Sequence, residues 1–133
     1  MRKRVYLVLI IAMSISIITC GQTEKKPRCN KFQYGSYTVT NETSEYIYPL
    51  NNISTIIRNY DDNDEIHIKD NDKFETFRIF PIDKCTYLIQ NIEDPKIKIH
   101  VEIKKTDYDE YIAVYTFSGT DISYEFILKS KDD

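Results

Sequence analysis

From Phe32 onward, hydrophobic and polar residues alternate with a period of two, the mark of strands that bury one face and wet the other. The clearest run is Lys96 to Lys104. It puts Ile97, Ile99, Val101 and Ile103 on one side and Lys96, Lys98, His100, Glu102 and Lys104 on the other. Similar runs fill Gly35 to Thr40, Ile53 to Tyr60, Glu65 to Lys69, Phe74 to Phe80, Thr86 to Ile92, Glu110 to Ser118 and Ser123 to Lys129, so about eight strands are predicted.

Clusters of turn residues separate these runs, among them Asp61-Asp62-Asn63-Asp64, Asp70-Asn71-Asp72, Glu93-Asp94-Pro95 and Gly119-Thr120-Asp121. Asn and Asp tolerate left-handed backbone angles and bond their own main chain, so short clusters of this kind suit hairpins. Strands joined in order by hairpins make an antiparallel meander, and eight of them curl into a small barrel or a strongly curved sheet, which removes exposed edges. The expected fold class is therefore all-β and lipocalin-like in plan, with an open sheet or two packed sheets as the alternative. Tyr111, Ala113, Tyr115 and Phe117 share one strand face, and aromatic side chains on that scale can fill a small barrel without a ligand cavity. Only Thr43 to Asn52, with Pro49 inside it, lacks the alternation; it reads as a loop, a short edge strand or one helical turn.

The N-terminal segment follows different rules. Arg2, Lys3 and Arg4 precede an apolar run from Val5 to Ile18, the charged and hydrophobic regions of an export signal. That run is shorter than the ~20 residues a spanning helix needs. It ends at Ile17-Ile18-Thr19-Cys20, which resembles the bacterial lipobox, although Thr19 is bulkier than the usual residue before the cysteine. The resemblance implies cleavage after residue 19 and lipid attachment to Cys20, since two or three acyl chains anchor a protein stably. An uncleaved signal anchor or a plain secretory signal are the alternatives. The expected organisation is a lipoprotein signal peptide at 1–19, a polar flexible tether at 20–31 and a β domain at 32–133.

Removing residues 1–19 takes three basic residues and leaves 15 Lys plus Arg against 21 Asp plus Glu, a net charge of -6. Nucleic-acid binding needs clustered positive charge, so that class is set aside. With Cys20 spent on lipid, Cys29 and Cys85 remain as an even pair in an oxidising compartment, and a disulfide between them is expected. A metal pair or redox thiols are the alternative, without a CxxC motif or clustered histidines to support them.

Several landmarks together resemble small β-rich lipoproteins of the Bacteroidetes: Cys29, Phe32, Gly35 and Tyr37, then Asp83-Lys84-Cys85-Thr86-Tyr87-Leu88, with Val101-Glu102-Ile103 further on. The likeness covers nearly the whole β domain and rests on structural positions. It implies a lipocalin-like barrel on a lipid anchor; the Gly-x-Trp of true lipocalins is absent, and no functional residue carries over.

Catalytic and metal chemistry finds little support. Asp61, Asn63, Glu65 and Asp72 fall at positions 1, 3, 5 and 12 of an EF-hand frame, but Ile66 stands where the tight turn wants glycine, so a solvated hairpin is expected. His67 and His100 sit between isoleucine or valine neighbours and should point to the polar outer face; on adjacent strands they would share a metal with Glu65 or Glu102. No catalytic residue, metal or cofactor is assigned, for Ser118 and Ser123 lack a nucleophile context and Asp109 and Glu110 point to opposite faces. Asn41-Glu42-Thr43 and Asn52-Ile53-Ser54 match a glycosylation pattern that carries meaning only in eukaryotic secretion.

The expected function is a non-enzymatic binding domain on an envelope lipoprotein, anchored to the outer membrane in a leaflet the sequence leaves open. A protein partner is favoured, with Tyr46, Tyr48 and Tyr108 as candidate contact residues. The alternative is carriage of a small apolar ligand inside the barrel, and a hydrolytic enzyme comes last.

Overall fold

The computed structural model describes Cys29, Phe32 and residues 34–131. The expected signal peptide, Cys20 and, apart from Cys29, the expected tether lie outside the described residues.

Eight strands follow one another: β1 (Tyr34–Val39), β2 (Ile53–Asn59), β3 (Asp64–Lys69), β4 (Phe74–Pro81), β5 (Thr86–Asn91), β6 (Lys98–Thr106), β7 (Glu110–Phe117) and β8 (Ser123–Ser130). Each pairs antiparallel with the next, and β1 closes on β8 through Tyr37↔Ser130, Thr38↔Lys129 and Val39↔Leu128. The predicted meander is thus a closed barrel, in keeping with a lipocalin-like plan, and closure leaves no strand edge unpaired. The turns use the expected chemistry: Asn63 (φ 58°) and Asp72 (φ 67°) take the left-handed conformation that their short polar side chains tolerate.

The β2–β3, β4–β5 and β6–β7 turns lie at one end, here called lower; the other three turns and the long connection from Thr40 to Asn52 lie at the upper end. At the lower end the ring of Phe32 packs against Tyr37 (4.9 Å) and Tyr111 (5.1 Å) and plugs the barrel. A disulfide between Cys29 and Cys85, 56 residues apart, ties this plug to the start of β5. Closing a loop of that length restricts the unfolded chain and stabilises the fold by about 4 kcal/mol.

The irregular segment before β2 is a loop with a cis Tyr48–Pro49 bond. Thr43 holds it down: its Oγ1 accepts from Ile53 N (2.9 Å) and its carbonyl from Asn52 N (3.1 Å). Leu50 is fully buried beneath this loop. Tyr46, expected as an exposed contact residue, is half-buried instead. It stacks on Tyr124 (4.1 Å), meets Phe126 edge-on (5.4 Å) and donates its hydroxyl to Glu125 O (2.8 Å), so its bulk covers the upper end of the barrel.

Candidate functional site

In seven of the eight strands the inward residues are mainly apolar, as the alternation predicts, although Ile57, Phe74, Phe80, Ile112 and Val114 face outward. On β6 the inward residues are Ile99, Val101 and Ile103; on β7, Tyr111, Ala113 and Tyr115. Strand β3 does the opposite. Glu65, His67 and Lys69 are buried inside the barrel, while Ile66 and Ile68 face outward and are only half-buried. Because side chains alternate along a strand, a slip of one residue would exchange the two sets. The fold adopts the phase that looks worse by hydrophobicity, and both faces of β3 need a physical account.

Inside, Glu65 is the hub. Its Oε1 accepts from the Tyr87 hydroxyl (2.7 Å) and lies 3.1 Å from Arg58 Nε; its Oε2 accepts from His67 Nε2 (2.6 Å) and the Tyr115 hydroxyl (2.8 Å). These partners arrive from β2, β3, β5 and β7, so one carboxylate joins half of the strands. A carboxylate only accepts, which places a proton on His67 Nε2. Arg58 lies between the rings of Phe32 (4.4 Å) and Tyr87 (4.1 Å), and its Nη1 donates to Phe32 O (2.8 Å). Stacking between aromatic faces suits guanidinium, which is weakly hydrated and planar.

Burial alone would push the Glu65 carboxyl up, but the hydrogen bond and charge of His67, the charge of Arg58 and the Tyr87 hydroxyl outweigh it and hold the group down at about 2. Burial pushes the Tyr87 and Tyr115 phenols well above their usual range, with the Glu65 charge adding to it, so both stay protonated as donors. The network is incomplete, since Arg58 Nη2 and His67 Nδ1 are buried with no hydrogen-bond partner among the described residues. Glu65, His67 and Tyr115 have no exposed surface. The cluster therefore binds strands to one another and presents no open face to a substrate.

No family model, curated protein or solved structure matches the chain. Its own geometry carries the functional reading.

His67 is thus not on the polar outer face where the alternation predicts it, because β3 is inverted. His100 does face outward, half-buried on β6, and the two histidines lie on strands that are not neighbours, so the shared site considered from sequence is not assembled. Glu65 points into the barrel while Asp61 and Asn63 lie in an exposed turn, which separates the ligands of the EF-hand frame. Cys29 and Cys85 are joined, as expected. Tyr48 and Tyr108 are exposed at 58% and 89%, as the contact reading requires. Sequence reasoning missed Arg58, Glu65 and Lys69 as interior residues. The usable signal was the hairpin register: pairing places Ile66 opposite Thr76 and Ile68 opposite Phe74, whereas the inward residues of β4 are Phe77 and Ile79.

On the outside, the inversion of β3 creates a largely apolar surface. Ile57, Ile66 and Thr76 form one cross-strand row over β2, β3 and β4, and Ile92 continues it, bonding through its N to Thr76 O (3.0 Å). Ile68 and Phe74 form the row above, bordered by Thr55, which is buried and accepts from Lys131 Nζ (3.2 Å). Phe74 is 66% exposed and Ile92 48%. The next row down is polar, with Asn59, Asp64, Arg78 and Gln90. A contiguous apolar face rimmed by polar residues is the usual character of an interaction surface.

Proposed function

We propose that this protein is a bacterial envelope lipoprotein, lipidated at Cys20, whose barrel is a non-enzymatic module that binds a partner protein through the outer face of β2, β3 and β4. One observation carries the reading: Ile57, Ile66, Ile68, Phe74 and Ile92 sit together on the outside as an apolar face, with Lys131 at its border on Thr55. Burying Ile66 and Ile68 inside would have been the simpler use of β3, and the cost of burying Glu65, His67 and Lys69 in their place is considerable. A docking face accounts for the outward isoleucines; the Glu65 hub accounts for how the interior tolerates the exchange.

Carriage of an apolar ligand fits less well, because Phe77, Tyr115 and Phe126 already fill the middle of the barrel, with Tyr115 and Phe126 rings 4.6 Å apart. The lipid anchor and the envelope location rest on the Cys20 motif.

The test is photo-crosslinking from single positions in the native envelope, with the probe at Phe74 or at the outward Glu125 of β8 as a control. A discrete protein adduct from Phe74, absent from Glu125 and lost when Ile66→Lys is introduced, is expected. Equal adducts from both positions, or an adduct indifferent to Ile66→Lys, would reject the docking face. Mass analysis of the processed chain checks the anchor, which requires an N-terminal, acylated Cys20.

A further inference from the structure

At the upper rim, between the loop before β2 and the β3–β4 turn, lies a cleft of about 420 Å3. That is within the size range of small-ligand sites. Its walls are tied together. Asp70 N donates to Asn52 O (2.9 Å), and the Lys69 ammonium, reaching up from inside the barrel, donates to the carbonyls of Pro49 and Asn51 and to Asn51 Oδ1 (3.2 Å). With three donors and three acceptors, Lys69 is used up in holding the loop. Glu75 is used as well, accepting from the Tyr48 hydroxyl (2.9 Å) and from Asn91 Nδ2 (3.0 Å). The first of those bonds fixes the Tyr48 ring, one face of which looks toward the Lys69 ammonium 5.8 Å from its centroid, and the residue stays 58% exposed at the mouth, so the other face is open to a ligand.

What remains for a ligand is specific. The side chains of Asn52, Asp70 and Lys73 line the cleft and make no hydrogen bond or ion pair among the described residues. They supply a planar amide, one acceptor-only carboxylate and one donor-only ammonium beside an exposed aromatic ring. The lining charges cancel, Lys69 and Lys73 against Asp70 and Glu75, so the cleft favours neither an anion nor a cation. A neutral ring that carries hydroxyls on its edge and C–H groups on its face uses all of these at once, because each hydroxyl both donates and accepts.

We propose that this cleft binds a sugar residue, with its C–H face on Tyr48 and its hydroxyls shared among Asn52, Asp70 and Lys73. The proposal does not depend on the docking face of β2, β3 and β4, which uses different side chains.

Saturation-transfer NMR on the full chain in detergent tests it, with glucose, galactose, mannose and N-acetylglucosamine as probes at about 10 mM, a concentration suited to the weak binding of a half-open site. The expected result is transfer to at least one sugar, abolished by Tyr48→Ala, reduced roughly fivefold or more by Asp70→Ala, and retained in Tyr48→Phe and in Ile66→Lys. These substitutions alter exposed or half-exposed side chains, and unchanged melting temperatures verify that the barrel is intact. Absence of transfer to all four sugars overturns the proposal. So does transfer that survives both Tyr48→Ala and Asp70→Ala in folded protein, and so does competition by glycine or inorganic phosphate, which would mark the cleft as a site for charge.

Discussion

Tyr115 on β7 reaches across the barrel to donate its hydroxyl to Glu65 on β3 at 2.8 Å, although 50 residues separate them in sequence. Glu65 also faces Arg58, so removing the carboxylate alone leaves a guanidinium buried without a counter-charge. Glu65→Leu should lower unfolding free energy by about 3–5 kcal/mol in a denaturant titration. Replacing the set, with Arg58→Met, Glu65→Leu and His67→Leu together, should recover most of that loss, because no charge then remains to be desolvated. A triple variant as unstable as Glu65→Leu would mean that the network's geometry, rather than its charge balance, holds the barrel.

The same hub sets a pH dependence. Glu65 is held down at about 2 in the folded chain, against about 4.3 for an unfolded glutamate. A group lowered on folding stabilises fully above its unfolded value, and that contribution fades as pH falls from near 5 toward 2. The loss should be about 3 kcal/mol, read as the difference between denaturant titrations at neutral pH and near pH 2. Glu65→Gln should flatten that part of the profile. If the variant and the parent lose stability in parallel, the acid sensitivity belongs to other carboxylates such as Asp83, whose carboxyl is lowered by hydrogen bonds to Cys85 and Thr86 backbone and side chain.

Strand existence, order and approximate ends were legible because they depend on period and turn chemistry, which are local. Lys96 to Lys104 announced its strand, and Asn63 and Asp72 announced their turns. The disulfide was legible because, with Cys20 assigned to the expected lipid, only Cys29 and Cys85 are left to pair. The phase of β3 was not. Asp-Glu-Ile-His-Ile-Lys alternates equally well either way, and what selects its phase is pairing with β2 and β4 together with partners for Glu65 on strands remote in sequence. Tyr46 was misplaced for a related reason: its burial comes from Tyr124 and Phe126, far along the chain.

The outward phase of β3 predicts an asymmetry between residues that look alike in sequence. Ile68→Thr should change stability by only about 0.5 kcal/mol, as expected for a surface substitution. Ile89→Ala, at a fully buried site on β5, should cost about 2–5 kcal/mol. Equal costs would place Ile68 in the core and remove the exposed apolar face on which the docking proposal rests.

The disulfide couples to this interior through Phe32, whose carbonyl accepts from Arg58 Nη1 at 2.8 Å and whose ring lies against the guanidinium. Cys29→Ser with Cys85→Ser removes about 4 kcal/mol of loop-closure stabilisation, which for a domain of this size lowers the melting temperature by roughly 15–30 °C. Freeing the plug also loosens Arg58, the cation paired with Glu65. The serine pair and Glu65→Leu should therefore be non-additive: once the plug is loose and Arg58 can reach water, removing Glu65 costs less than it does in the intact barrel. A double-mutant cycle with a coupling of about 0.5–3 kcal/mol is expected. Strict additivity would show that Phe32 stays seated without its covalent tether, held by Tyr37 and Tyr111 alone.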